Sequence, residues 1–111
     1  MMSFDAVIRL VGGLEPQELQ RWIAERWVRP QSAAEGYVFA EVDVARVQLI
    51  CDLSHELAID EEAMPVVLQL LDQVYALRRR LRTVIEAIDA QPDAVRTALR
   101  TRLGAAQAGR E

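Results

Sequence analysis

The sequence predicts a mostly α-helical fold, in which two short helices and a two-stranded wing precede a long helix with a heptad repeat. The chain has 111 residues, of which 51% are hydrophobic, with only 4 Pro and 5 Gly, and strand-like alternation is scarce. Gly12-Gly13 separates two short apolar-periodic segments, and apolar residues recur with heptad spacing over residues 67–88. This length suits one domain with an extension.

The first two predicted helices lie on either side of the glycine pair. Residues 3–11, SFDAVIRLV, form the first helix, with Ser3 as its N-cap. Residues 14–27 form the second, and Pro16 lies in its first turn, where a missing N–H does no harm. We expect four side chains of the second helix to face inward: Leu19, Trp22, Ile23 and Trp27. Two short helices joined by a glycine turn are typical of a helix-turn-helix.

A wing and a third helix are predicted next. Turn-forming residues fill 30–36, with short strands expected at 27–30 and at 36–39, GYVF. The third helix is expected over residues 40–58. Its inward face is predicted to contain Leu49, Ile50, Leu53 and Leu57, and its polar stripe Glu41, Gln48, Asp52 and Glu56.

The long helix is predicted from Asp60, its expected N-cap, to about Ala90, just before Pro92. Seven residues form its heptad seam: Val67, Leu70, Val74, Leu77, Leu81, Val84 and Ile88. Such a seam needs a partner, so we expect a homodimer. The alternative is that a final amphipathic helix, residues 92–103, folds back over part of the seam.

These elements divide the chain into three predicted segments. Residues 1–58 form the winged helix-turn-helix and residues 59–90 the long coiled-coil-type helix. Residues 91–111 form the short amphipathic helix and a frayed tail.

The charge is acidic and unevenly distributed. All 13 basic residues are Arg, against 17 acidic ones, for a net charge of −4. Residues 1–77 hold 13 acids and 5 Arg, a net charge of −8, whereas residues 78–111 hold 4 acids and 8 Arg, a net charge of +4. Because phosphate contacts dominate affinity for nucleic acids, this balance argues against a specific nucleic-acid partner.

Several features bear on the compartment. A single cysteine cannot form an internal disulfide, which fits a reducing compartment. The N-terminal segment lacks the basic and apolar regions of a signal peptide, and no apolar run is long enough to span a membrane. We therefore expect a cytoplasmic protein with no membrane partner.

Cys51 and His55, one helical turn apart, are the candidates for metal or nucleophile chemistry, because the chain has one Cys and one His. A closed zinc site needs four ligands and a catalytic one three. A Cys–His nucleophile would lack a glycine-rich oxyanion loop here. We therefore predict no metal, no cofactor and no catalytic residue, and so no enzyme. The RRRLR run at residues 78–82 is interpreted as a solvated face of the long helix rather than an anionic-ligand patch.

The order of elements resembles the MerR-type winged helix-turn-helix. ELQRWIAERWVRP followed by GYVF corresponds to that family's second helix, wing and strand, although Val38 stands where DNA-reading members usually carry Arg. The chain is more similar to the chaperone-modulator family (CbpM), a divergent MerR-type relative. The similarity is carried by LEPQELQRWIAERWVRP, YVFAEVDVARVQLICDLSHELAID and VVLQLLDQVYALRRRLR, and it extends roughly over residues 5–85.

This resemblance implies an adaptor that binds the J-domain of a DnaJ/CbpA-like co-chaperone and inhibits it. The alternative is a MerR-like DNA-binding transcription regulator. J-domains present a basic helix, so we expect the contact on acidic polar faces. The residues expected to bind the partner are Asp52, His55, Glu56, Asp60, Glu61, Glu62 and Asp72.

Overall fold

The structure is a computed structural model that describes residues 1–108. Helices dominate the described part, and the predicted fold class is confirmed. The elements in chain order are β1 (Met2–Ser3), α1 (Phe4–Leu10), α2 (Pro16–Ala24), β2 (Gln31–Ala33), β3 (Gly36–Phe39), α3 (Glu41–His55), α4 (Met64–Asp89) and α5 (Asp93–Ala108). They fall into two compact units, Met1–Leu68 and the chain from Gln69 onward.

The first two helices form as predicted but are shorter. Ser3 is the N-cap of α1, because its hydroxyl accepts a hydrogen bond from the N–H of Ala6 at 3.2 Å. Pro16 is the first residue of α2, so the helix begins later than the predicted residue 14. It also ends at Ala24, because Arg26 turns to φ 66° and the N–H of Trp27 bonds back to the Trp22 carbonyl at 2.9 Å.

The wing has one predicted strand and one that the prediction misplaced. β3 matches the expected GYVF strand, but the strand expected at residues 27–30 is wrong, and β2 lies at Gln31–Ala33. The N–H groups of Trp27 and Val28 bond to the Trp22 carbonyl at the end of α2, so they are not available to a sheet. The sheet also gains an unpredicted strand: β1 pairs antiparallel with β3, with Met2 opposite Phe39, and β3 is central.

A core of apolar side chains holds the first unit together. Trp22, Leu19 and Trp27 are buried in it, as predicted, and Ile23 is half-buried. Its other buried members are Val7, Val11, Leu14, Val28, Phe39, Val47, Ile50, Cys51, Leu53, Met64 and Leu68. This core fixes α2, the sheet, α3 and the start of α4 as one body, because buried apolar area is the main stabilising contribution.

The end of α3 departs from the prediction. α3 stops at His55 rather than Ala58, and its end is closed by backbone hydrogen bonds from the N–H of Leu57 to the Asp52 carbonyl at 3.2 Å and from the N–H of Ile59 to the Leu53 carbonyl at 2.9 Å. Ala58 takes φ 55° to make this turn. The chain reversal leaves Leu57 66% exposed, so its predicted inward position is wrong. Ile59 is half-buried instead, and its backbone N–H bonds to the Leu53 carbonyl.

The start of α4 is also later than predicted. The Asp60 carboxylate accepts a hydrogen bond from the N–H of Ala63 at 2.8 Å, so Asp60 caps a turn as expected of an N-cap. The regular helix then begins at Met64. Glu61 and Glu62 therefore lie in the capped turn before the helix rather than in its first helical turn.

The second unit contains most of α4 and all of α5. The seam residues Leu70, Val74, Leu77, Leu81 and Val84 are between 41% and 61% exposed, so α5 does not cover them. α5 runs to Ala108, beyond the predicted end at residue 103. Of the tail expected to fray, residues 109–111 lie outside the described residues. No helix within residues 1–108 is both long and apolar enough to cross a membrane.

Candidate functional site

Six of the seven predicted partner-binding residues lie in the first unit, around the junction between α3 and α4. Asp52 and His55 are in the last turns of α3, Glu56 is its C-cap, and Asp60, Glu61 and Glu62 are in the connection to α4. The seventh, Asp72, lies farther along α4 in the second unit and is exposed. We name residues 52–62 the acidic junction.

His55 joins the acidic junction to α2. Its Nε2 atom lies 2.7 Å from Glu18 Oε2, and its Nδ1 atom lies 3.4 Å from Cys51 Sγ. The other oxygen of Glu18 accepts a hydrogen bond from the N–H of Glu15 at 3.1 Å, which closes a capping box at the start of α2. One carboxylate thus organises the start of α2 and its contact with α3.

The surroundings of Glu18 and Cys51 shift the pKa values of both side chains. Burial acts to raise the pKa of Glu18, but the hydrogen bond from His55, the bond from the Glu15 backbone and the charges of His55 and Arg21 outweigh it, so the pKa is lowered. Burial raises the pKa of the Cys51 thiol, and the nearby carboxylates Glu18, Asp52 and Glu56 add to the effect. The arrangement therefore favours a Glu18 carboxylate and a neutral Cys51 thiol.

A nucleophilic site has a nucleophile in contact with a base, and the base in contact with a group that orients it. The contacts of Cys51 with His55 and of His55 with Glu18 follow this order. However, Cys51 is only 3% exposed, and its raised pKa disfavours the thiolate that would act as nucleophile. The thiol and the carboxylate also contact different ring nitrogens of His55, so they cannot converge with it on one metal ion. Across the described residues, no group of three or more His, Cys, Asp or Glu side chains is arranged to hold a metal.

A second contact joins α2 to the junction. Arg21, one turn after Glu18, forms an ion pair with Glu61, with Nε and Oε1 2.5 Å apart. Both side chains are exposed, so the pair contributes at most about 1 kcal/mol. The structure therefore brings both His55 and Glu61 into contact with α2. His55 contacts Glu18, and Glu61 is paired with Arg21.

The remaining junction residues differ in how much charge they offer to a partner. Asp52 is half-buried and accepts a hydrogen bond from the Gln48 amide at 3.0 Å, and Asp60 caps its turn. Glu56 and Glu62 are exposed, and no side chain of the described residues forms an ion pair with either. Among the junction carboxylates, Glu56 and Glu62 are thus the ones left to pair with a cationic partner.

Glu18 and Arg21 were not among the site residues that the sequence predicted. Glu18 follows Pro16 in the first turn of α2, so its capping role has a local signal in the sequence. Its contact with His55 spans 37 residues and has no such signal. The pair of Arg21 with Glu61 likewise joins residues that are far apart in the chain.

The surface of α2 and the wing carries little positive charge. The segment from β2 to β3, residues 31–39, contains Glu35 and no Arg, and Val38 is half-buried. The guanidinium of Arg29 donates a hydrogen bond to the Arg26 carbonyl at 3.3 Å. Arg46 donates to the Trp27 carbonyl at 3.0 Å. Residues 1–68 hold 12 acids and 5 Arg, so the first unit has a formal net charge of −7.

Comparison with protein families gives one finding on identity. The family model described as MerR HTH family regulatory protein matches residues 5–85. Neither the curated proteins nor the solved structures provide a match to the chain.

Proposed function

We propose, from the premise that the chain belongs to the MerR HTH family of regulatory proteins, that it regulates by binding a protein. The partner we propose is the J-domain of a DnaJ/CbpA-like co-chaperone, which this protein would keep from a productive encounter with a DnaK-type chaperone. The J-domain is suggested by the similarity to the chaperone-modulator family. In this proposal the protein acts in the cytoplasm beside its co-chaperone and catalyses no reaction.

The observation that carries the proposal is the charge of the first unit. Its net charge of −7 includes two exposed carboxylates, Glu56 and Glu62, that form no ion pair within the described residues. A basic helix would be attracted to such a surface, and complementary charge accelerates association and suppresses wrong partners. Duplex DNA carries one negative charge per about 1.7 Å of its axis and would be repelled.

The second candidate function is DNA-binding transcription regulation, and the family match taken alone favours it. The winged helix-turn-helix architecture is consistent with it as well. It requires cations on α2 and the wing to contact phosphate. Arg21 is paired with Glu61, and the wing segment holds no Arg, so the side chains present give this candidate weaker support.

One pair of measurements tests the two candidates together. Calorimetric titration with the J-domain of a DnaJ/CbpA-like co-chaperone should show saturable binding, and addition of this protein should inhibit J-stimulated ATP hydrolysis. A mobility-shift assay at about 100 mM salt should show no tight binding to duplex DNA. Absence of J-domain binding by a folded sample would overturn the proposal, and tight, salt-sensitive binding to one DNA sequence would favour the second candidate.

A further inference from the structure

We propose that a groove formed by the start of α1, α2 and the wing hairpin binds an Arg or Lys side chain of a basic partner helix. This inference rests on the proposed function and deepens it, because it names a point at which the partner docks. The groove lies outside the acidic junction.

The backbone of the sheet builds the groove. Tyr37 and Phe39 are two residues apart on β3, so their side chains lie on the same face of the sheet. Phe39 is fully buried and contacts Phe4, with ring centroids 6.5 Å apart and ring planes tilted by 55°. Tyr37 is 39% exposed. β1 pairs Ser3 with Val38, which brings the start of α1 beside this face.

Gly36 positions the acidic edge of the groove. It takes φ 118°, a conformation that other residues rarely adopt, and it directly follows Glu35 in the hairpin. Its register opposite Ala33 closes a two-residue loop. Glu35 and Tyr37, on either side of Gly36 in the chain, both line the groove.

The cavity has a volume of about 270 Å³. Its lining includes two aromatic rings, two carboxylates and an amide, from Phe4, Tyr37, Asp5, Glu35 and Gln20. Pockets for small organic ligands span about 300–1,000 Å³, so this groove suits one long side chain better than a whole small molecule.

The electrostatics select the charge of that side chain. Asp5 and Glu35 are exposed, no Arg lines the groove, and within residues 1–108 neither carboxylate forms an ion pair. An anion would be repelled by both carboxylates, whereas a guanidinium or ammonium group would be attracted to them. The same cation would be attracted to the face of the Tyr37 ring. The net charge of −7 on the surrounding unit extends this preference to a basic helix.

The first experiment uses the J-domain and two matched variants of Tyr37. Tyr37→Leu replaces the aromatic ring with a smaller aliphatic side chain, and Tyr37→Phe keeps the ring. We expect the dissociation constant to rise roughly tenfold for Tyr37→Leu and by less than about threefold for Tyr37→Phe. Asp5→Asn combined with Glu35→Gln should weaken binding and reduce its salt dependence. Glu25→Gln, an exposed acid outside the groove, should change neither quantity, and circular dichroism verifies that each variant is folded.

The outcomes separate this inference from the proposed function. If the J-domain binds the wild type and the groove variants equally well, the groove is not the docking point and the proposed function stands. If the J-domain binds none of them, the proposed function fails, and a second probe decides the groove alone.

That probe is N-acetyl-arginine amide, with N-acetyl-citrulline amide as its neutral isostere, followed by NMR. The arginine probe should cause saturable shifts at the Gly36 and Tyr37 backbone amides and at the Gln20 side-chain amide. These shifts should disappear in the Asp5→Asn, Glu35→Gln variant. Shifts that are absent, that spread over all the acidic residues, or that citrulline reproduces would overturn the inference.

Discussion

His55 Nε2 lies 2.7 Å from Glu18 Oε2 and so ties the last residue of α3 to the first turn of α2 across 37 residues. The other ring nitrogen of His55 contacts the buried Cys51 thiol at 3.4 Å, so the contact runs from the core to the surface. Glu18 also caps α2 through the N–H of Glu15. Loss of its charge should therefore loosen both the helix start and the packing of α2 against α3.

The first prediction concerns the stability of the protein at acidic pH. The pKa of Glu18 is lowered in the folded protein, so in acid the unfolded chain binds a proton more readily than the folded one. The resulting stability is fully present above the pKa of the carboxyl in the unfolded chain and is lost as pH falls through the folded pKa. The free energy of unfolding, measured by urea titration at several pH values, should fall more steeply below about pH 4.5 for the wild type than for Glu18→Gln.

The control for this prediction is Glu25→Gln, which removes an exposed carboxylate just after α2. It should keep the wild-type dependence of stability on pH. Parallel curves for the wild type and Glu18→Gln would contradict the role of Glu18.

The second prediction concerns the end of α3. Ala58 takes φ 55°, and a left-handed conformation costs an L-residue about 1–2 kcal/mol. Glycine has no such cost, but it also gives the unfolded chain more conformational freedom, which opposes the gain. Ala58→Gly should therefore raise the free energy of unfolding by up to about 1 kcal/mol. Ala45→Gly, at an exposed position inside α3, should instead lower it by about 0.5–1 kcal/mol. Urea titration measures both, and a stability loss in Ala58→Gly would contradict the strain.

Local signals explain which parts of the fold were predictable. Ser3 and Pro16 mark helix starts by their own chemistry, and GYVF has the alternation and glycine of a wing strand. Leu57 has the spacing of an inward residue, but the backbone reverses at Ala58, where no glycine warns of it. The positive φ there accompanies the backbone hydrogen bonds of Leu57 to Asp52 and of Ile59 to Leu53, which the periodicity of side chains does not record.

In the candidate site, too, features with a local sequence signal were predictable and contacts between distant residues were not. The acidic character of residues 52–62 is evident from the sequence, but the pairing of its members is not. Glu61 is paired with Arg21 and His55 with Glu18 because the core brings α2 to the junction. The Tyr37 groove likewise depends on β1, a two-residue strand too short to leave a periodic signal.

The third prediction is that α4 mediates self-association. Leu77 and Leu81 are 61% and 60% exposed, and burying such a side chain stabilises by about 1.5–3 kcal/mol. Sedimentation at micromolar concentration should show a homodimer for the wild type and a monomer for Leu77→Glu combined with Leu81→Glu.

Arg79→Glu is the control for this prediction, because residue 79 lies outside the heptad seam. It should leave the dimer intact. A wild-type protein that stays monomeric on concentration would contradict the prediction.

The fourth prediction concerns the rate of partner binding. Glu56 and Glu62 are exposed and form no ion pair in the described part of the chain, so they should steer a basic J-domain without fixing the fold. Charge at the rim of an interface mainly changes the association rate and its dependence on salt. Glu56→Lys with Glu62→Lys should therefore slow association several-fold to about tenfold at low ionic strength and flatten its salt dependence, with the same melting temperature. Stopped-flow mixing with the J-domain over a salt series measures both.

Glu86→Lys, a charge reversal in the second unit, should change the rate much less than Glu56→Lys alone. If the double reversal leaves the rate and its salt dependence unchanged while the Tyr37 variants weaken binding, the partner docks at the wing and the acidic junction is not part of the interface.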